Sequence, residues 1–457
     1  MHPSIVILKV RSFLWLMHAL AKRYRRFLVT GFFLGVVAFA LIIFLYPILR
    51  PVISGPNVKR IGIIGSYTPS NFPIKIQSSI SFGLTQLTPN GEATGAAAAS
   101  WEVDEDGKRY VFHLAENLIW QDGEKLKAAD INYNFKDTGV KITNDQTIEF
   151  NLKEPFAPFP TLVSQPLFKK GLVGLGRYRA TFLKVSKVNG DDNLQTLALT
   201  PTTKSANLPI LEYKFYPTEK SALTAFKLGE VDNLEGITDI SVFDNWPVKI
   251  EKETLFNRLV AVFYHTENGF LAEKNIRQAL TYALPDFSQG YSASSSINTN
   301  SWAYNDDVKK YEYDPKMAQE LFKKTGIATK SGERKLTLTT MAVYEPEARE
   351  ISKAWQDLGI ETNIEIADQL PANFEVLLAT QEIPADPDQY SLWHSTQEKT
   401  NITHYKNPRI DKLLEDGRTT VDKKERKRIY FDFQKYLIDD APAAFLYHPV
   451  VYNISRR

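Results

Sequence analysis

Three carboxylates, Glu382, Asp386 and Asp388, crowd one short stretch of the chain, and Tyr390 and Trp393 follow directly. Pro384 and Pro387 force a loop there, because proline lacks the amide donor that a helix or strand interior needs. A strand-like run, Phe374–Leu378, leads into it. Carboxylates beside aromatic side chains suit a ligand with a cationic amine on an apolar frame. The same residues also fit a polar surface loop with Trp393 buried beneath it. A third option, Asp386 and Asp388 as a catalytic pair, lacks any neighbouring base or nucleophile.

Little else in the chain is equipped for chemistry. With no cysteine, a thiol nucleophile, a disulfide framework and a Cys-ligated metal are excluded. HExxH, GxSxG and Walker A motifs do not occur, and Gly174-Leu-Gly176 lacks the third glycine of a dinucleotide fingerprint. Of the seven histidines only His394 and His404 approach a metal-ligand spacing, and such a lone pair is more often structural. Asp104 and Asp106 lie in a turn and read as solvated. The expectation is therefore a non-enzyme without metal or cofactor. The 21 Tyr, 27 Phe and 7 Trp mostly serve core packing, with a few free to line a pocket.

The elements that must position these residues read as α/β. Tyr110, Phe112 and Leu114 alternate, and Asp106-Gly107 supplies a hairpin turn before them. A second hairpin is expected around Asn144-Asp145, with Ile148, Phe150 and Leu152 alternating. Leu211–Phe215 as strand, Thr218 as N-cap, a helix to Leu228 and Gly229 as stop make a βαβ unit with a strand from near Glu230. Leu336–Thr340, Glu345–Leu358, Gly359 and Glu361–Ile366 repeat that pattern. Two such units far apart suggest two α/β lobes. Asp314-Pro315 opens a helix that Gly326 closes, Asn407-Pro408 opens another, and Asp422 with Glu425 starts one running to about Leu437.

The N-terminus is of a different kind. Phe27–Leu49 is an uncharged, mostly apolar run of 23 residues. As a helix it extends about 35 Å, enough to cross a hydrocarbon core of about 30 Å. Lys9, Arg11, Lys22, Arg23, Arg25 and Arg26 precede it with no acid, so the N-terminus is expected in the cytoplasm and the body outside. The competing interpretations are a buried core helix, disfavoured by the basic flank, and a cleaved signal, whose apolar core is ordinarily shorter. Ser4–Ala21, broken by Lys9 and Arg11, is expected along the inner membrane surface. Arg50 to about Arg60 reads as a linker. Seven of 55 basic residues and no acidic one lie in residues 1–50, so the remainder carries 48 bases against 53 acids, a net of −5. That sign gives no reason to bind nucleic acid.

Several ordered stretches carry a resemblance. They are Trp101-Glu-Val-Asp-Glu-Asp-Gly-Lys-Arg-Tyr-Val-Phe-His-Leu114, Leu118-Ile-Trp-Gln-Asp-Gly-Glu-Lys-Leu126, Asp145-Gln-Thr-Ile-Glu-Phe-Asn-Leu-Lys-Glu-Pro-Phe156, Ala222-Leu-Thr-Ala-Phe-Lys-Leu-Gly-Glu-Val-Asp232, Ile276-Arg-Gln-Ala-Leu-Thr-Tyr-Ala-Leu284 and Tyr405-Lys-Asn-Pro-Arg-Ile-Asp-Lys-Leu-Leu414. Over about Ile61 to Val451 the chain resembles the bacterial extracellular solute-binding proteins of ABC importers, in the family for dipeptides, oligopeptides and nickel complexes (family 5). The resemblance implies an α/β, two-lobed periplasmic-binding-protein-like fold of type II (Venus flytrap). Lobe 1, residues 61–256, would carry an extra subdomain. Lobe 2 would be 257–440, and 441–457 would cross back toward lobe 1. The cytoplasmic segment 1–26, the anchor 27–49 and the linker 50–60 precede them.

The resemblance also implies a function: capture of short peptides outside the cell for ABC importer permease subunits, by a monomer held at the membrane by one helix. Glu382 falls where family members pair an acid with the peptide amino terminus. Asp386 and Asp388 would hold the loop in shape, Tyr390 and Trp393 would line the wall, and Ser66 and Tyr67 would face them from lobe 1. Trp302 and Tyr304 are further candidates. Three departures accompany it. The lipid-anchor cysteine is absent, Arg177 stands where the family has proline, and the chain ends soon after the return crossing. A nickel or other chelate binder, a sensor or scaffold ectodomain and, last, a carboxylate-dependent hydrolase are the alternatives.

Overall fold

A computed structural model describes residues 57–188, 190–203, 208–326 and 335–457, and the isolated positions Trp15, Arg23, Tyr24, Thr30 and Gly35. The expected anchor over 27–49 lies outside the described residues apart from Thr30 and Gly35. Among the described residues no helix is long and apolar enough to cross a membrane. The chain divides into two units, Met1–Val58 with Leu208–Ile210, and Lys59–Asn207 with Leu211–Arg457. The second holds every element of the fold apart from the first residue of two strands.

In chain order come β1 (Val58–Ile64), α1 (Ile74–Ile80), β2 (Thr85–Leu87) and β3 (Ala93–Gly95). A module of β4 (Ala98–Val103), β5 (Arg109–Leu114), β6 (Thr138–Asn144) and β7 (Thr147–Leu152) follows, then the short α2 (Phe159–Leu162). Next are β8 (Tyr178–Val188), β9 (Asp191–Pro201), β10 (Ile210–Tyr216), α3 (Glu219–Leu228), β11 (Asn233–Ile237) and β12 (Val248–Thr254). The second half holds β13 (Arg258–Tyr264), α4 (Lys274–Tyr282), β14 (Gly290–Ser292), α5 (Pro315–Lys324), β15 (Lys335–Thr340), α6 (Glu345–Gln356) and β16 (Glu361–Ile366). It ends with β17 (Val376–Glu382), the single-turn α7 (Tyr390–Trp393), α8 (Pro408–Thr419), α9 (Lys423–Asp440) and β18 (Ala443–Arg456).

Local chemistry sets most of these boundaries. Thr218 accepts from the Ser221 amide at the start of α3, and Gly229 ends it at φ 79°. Asp314 caps α5, Asn407 caps α8, and Asp422 accepts from the Glu425 amide to start α9. In the four-stranded module Tyr110, Phe112, Ile148 and Phe150 are buried, as alternation requires. Its sheet runs β4-β5-β7-β6 around a core of its own.

The large sheet has twelve strands, ordered β16-β15-β17-β13-β18-β11-β1-β10-β9-β8, with β12 and β14 also on β18. β18 joins its two halves. Ala443–Tyr447 pairs with β13, whereas Val450–Arg456 pairs with β12 and Tyr452–Ser455 with β11. On the β13–β17 half, α4, α5 and α6 pack one face around Val260, Val262, Leu338, Val376 and Leu378. Helices α7, α8 and α9 pack the other, around Leu259, Ala261, Leu377, Ala379 and Trp393. The other half has its cores around Ile61, Ile63 and Leu197, and around Phe226, Leu234 and Ile454.

Candidate functional site

The carboxyl ends of the parallel strands β15 and β17 lie at one edge of the sheet, where open α/β sheets take their ligands. The loop 383–389 leaves β17 at that edge, and its carboxylates are not free. Asp386 is 7% exposed and receives both terminal nitrogens of Arg426, one of them at 2.9 Å. It also accepts the Asp388 amide at 2.9 Å. Arg426 completes its donors at the Gly417 carbonyl, 2.7 Å, and the Tyr430 hydroxyl, 3.3 Å. Burial works against the Arg426 charge, but Tyr430 and the Asp386 carboxylate lift its pKa above the ordinary arginine range. Asp388 accepts the Tyr390 amide at 3.1 Å and Arg418 Nε at 3.0 Å.

The aromatic residues of the loop are engaged as well. Arg418 lies 4.2 Å from the Tyr390 ring centre and 5.2 Å from that of Phe156, bridging them by cation–π contact. Behind, Tyr390 stacks on His394 at 4.0 Å. Trp393 is 1% exposed in the lobe core, and its indole donates to Gln389 Oε1 at 3.0 Å. His394 turns to Glu415, 3.4 Å, whereas His404 stacks on His265 at 4.5 Å, so the two histidines share no site. Among the described residues no group of three or more His, Asp or Glu could hold a metal ion.

Glu382 differs from its neighbours. Its side chain is 80% exposed at the end of β17, and among the described residues its one ion-pair contact is Arg258 at 3.7 Å, directly across the β13–β17 register. Alternation puts Glu382 on the face of Leu378 and Thr380, toward α6, where Tyr344 hydrogen-bonds Thr380. The loop from Asp386 to Trp393 folds onto the opposite face. Sequence proximity grouped them; the strand separates them.

The remaining candidates divide similarly. Trp302 and Tyr304 join the loop's side: Lys423 and Arg426 lie 5.5 and 5.7 Å from the Trp302 ring, and the Tyr304 hydroxyl meets Ser294 at 2.9 Å. Ser66 is exposed just beyond the end of β1. Tyr67 turns back, donating to the Ile64 carbonyl at 3.2 Å and meeting Phe215 edge-on. Reasoning from sequence missed Arg418 and Arg426. The clue was available: Arg426 occupies the apolar stripe of α9 with Tyr430, Phe433 and Leu437, and a buried arginine needs partners that offset its desolvation, a carboxylate first among them.

This arrangement of two packed halves, a shared crossing strand and a ligand edge has relatives. Residues 92–141 and 135–401 match the bacterial extracellular solute-binding proteins, family 5 Middle, and the chain belongs to that family. A dipeptide-binding protein of Escherichia coli is 23% identical over 468 residues, covering 82% of this chain and 83% of its own length. The crystal structure of NikZ from Campylobacter jejuni in complex with Ni(L-His) superposes with a TM-score of 0.70 at 21% identity, covering 88% of this chain and 94% of that one. The oligopeptide-binding protein AppA from Bacillus subtilis, in complex with a nonapeptide, gives 0.66 at 20% identity, with 88% and 95% covered. The fold is thus the α/β, two-lobed periplasmic-binding-protein fold.

Proposed function

We propose that this chain captures short peptides outside the cell and delivers them to the permease of an ABC-type importer, making and breaking no bond in them. Lobe 1, residues 61–256 with the four-stranded module, and lobe 2, residues 257–440, close on the ligand about the strand connections near Phe256 and Pro449. A ligand touching both lobes favours the closed state by its extra contacts. The apolar run 27–49 holds the monomer at the membrane with its N-terminus in the cytoplasm.

The observation that carries this proposal is the exposed Glu382 carboxylate at the carboxyl end of β17, paired only loosely with Arg258. It offers a peptide ammonium a charged acceptor, while Arg258 beside it offers the ligand a cation. Asp386, Asp388 and Trp393 support the loop from behind, and Tyr390, Trp302, Tyr304, Ser66 and Tyr67 provide wall. Thermal-shift screening with di- to hexapeptides, followed by titration calorimetry, tests this. Glu382→Gln removes a charge-assisted bond of about 1.5–3 kcal/mol, so affinity should fall roughly ten- to hundredfold. Unchanged affinity would take Glu382 out of the site. A metal–amino acid chelate is the second candidate, favoured by the likeness to NikZ and by the adjacent cation and anion at Arg258 and Glu382. Calorimetry with nickel–histidine in place of peptide separates the two.

A further inference from the structure

The turn between β2 and β3 crosses from one lobe to the other. Within Thr88–Glu92 it is held rigid by its own bonds. The Gly91 amide donates to the Thr88 carbonyl at 2.9 Å and the Thr88 amide to the Glu92 carbonyl at 2.9 Å. The Glu92 amide reaches Thr88 Oγ1 at 3.1 Å, and Asn90 Nδ2 reaches Glu92 Oε1 at 3.0 Å. A turn fixed in this way docks without losing further conformational freedom.

Its tip meets the lobe-2 residues that surround the acidic loop. The Trp302 amide donates to the Asn90 carbonyl at 3.1 Å. Lys423 Nζ lies 2.5 Å from Glu92 Oε1, and this contact, ahead of burial, draws the Glu92 carboxyl below the ordinary range. Gly91 sits at φ +81°, and a β-carbon on it would lie 2.4 Å from the Ala385 carbonyl oxygen, so only a glycine lets the backbones approach. Close by, the Ala157 amide donates to the Arg418 carbonyl at 2.8 Å. This end of the inter-lobe space is therefore occupied by protein. Its acids, Asp386 and Asp388, are already neutralised by Arg426 and Arg418.

We propose that the Thr88–Glu92 turn is the end wall of the ligand cleft, and that its fit against Ala385, Trp302 and Lys423 sets the longest ligand the cleft accepts. This rests on the peptide-binding function proposed above. A peptide in the cleft that reaches this wall stops there. One that extends past it must break the Glu92–Lys423 pair and lift Gly91 off Ala385.

The test uses the full-length chain in detergent and pools of random-sequence peptides, each pool of one length from dipeptide to octapeptide, read by calorimetry. Wild type should lose affinity beyond a threshold length. Gly91→Ala and Glu92→Lys should move that threshold outward, raising octapeptide affinity relative to tripeptide by about tenfold. The exchange Glu92→Lys with Lys423→Glu should bring the ratio back to within about twofold of wild type, because it restores the pair. A wild-type profile with no threshold, or the same threshold in all variants, overturns the end wall. If no pool binds, the peptide function fails and the wall is judged on ligand-free small-angle scattering. Glu92→Lys should then enlarge the radius of gyration and the exchange restore it; identical radii overturn the wall on that arm.

Discussion

Replacing Asp386 by alanine distinguishes a structural loop acid from a ligand-binding one. The Asp386 side chain is 10% exposed and that of Arg426 is 7%. Removing the carboxylate leaves a guanidinium deep in the lobe with the Gly417 carbonyl and the Tyr430 hydroxyl as its hydrogen-bond partners among the described residues. Breaking a buried pair by deleting one member costs about 3–5 kcal/mol, because the other charge stays desolvated. For a lobe of this size that lowers the melting temperature by about 6–20 °C. Asp386→Asn keeps an acceptor toward one guanidinium nitrogen and should cost about 1.5–3 kcal/mol. Joint replacement, Asp386→Leu with Arg426→Met, removes both charges and should recover most of the loss. Calorimetric melting of the three variants and wild type, without ligand, measures the series. An alanine variant that melts within about 2 °C of wild type, yet binds peptide poorly, would refute this reasoning and return Asp386 to the ligand.

Two further outcomes follow from buried groups elsewhere in the fold. His448 is fully buried on β18, the strand that joins the two halves of the large sheet, with Nδ1 at 2.7 Å from the Arg258 carbonyl and Nε2 at 3.0 Å from Thr299 Oγ1. Burial holds its pKa below the ordinary 6.5, so the unfolded chain binds the proton first. Its contribution is complete above pH 6.5 and declines as pH falls through the window below it. Urea midpoints should drop on that side in wild type and less in His448→Gln, and parallel profiles would exclude His448 as the source. Gly417→Ala would place a β-carbon 2.8 Å from the Tyr430 ring, which is fully buried and cannot swing away. The helix pair α8–α9 should lose about 1–3 kcal/mol, measured by urea unfolding.

Much of the secondary structure was legible because its signals are local. The two βαβ units and the caps at Thr218, Asp314, Asn407 and Asp422 required only neighbours within a few residues. Other elements gave no such signal. β13 is buried on both faces, with Leu259 to Tyr264 all at 1% exposure or less, so it reads as an apolar run without a period. The two long strands β8 and β9 form a hairpin that alternation did not reveal, since Thr181 to Val185 are all exposed. The anchor expected over 27–49 lies outside the described residues apart from Thr30 and Gly35.

The site shows why spacing alone misjudges function. Glu382, Asp386 and Asp388 are close in sequence, but their side chains answer to different neighbours. Strand alternation turns Glu382 toward α6, and the two prolines release the chain so that Asp386 and Asp388 reach arginines supplied by α8 and α9. A carboxylate is available to a ligand only if no cation of the protein has taken it. That condition depends on arginines 30 and 40 residues downstream. The two arginines that neutralise the loop also lie against Trp302, whose amide meets the turn at Asn90, and against Phe156. Neutralising these acids and seating the Thr88–Glu92 turn are therefore parts of one structural arrangement. It leaves Glu382, 80% exposed and 3.7 Å from Arg258, as the acid of this region least engaged by the protein.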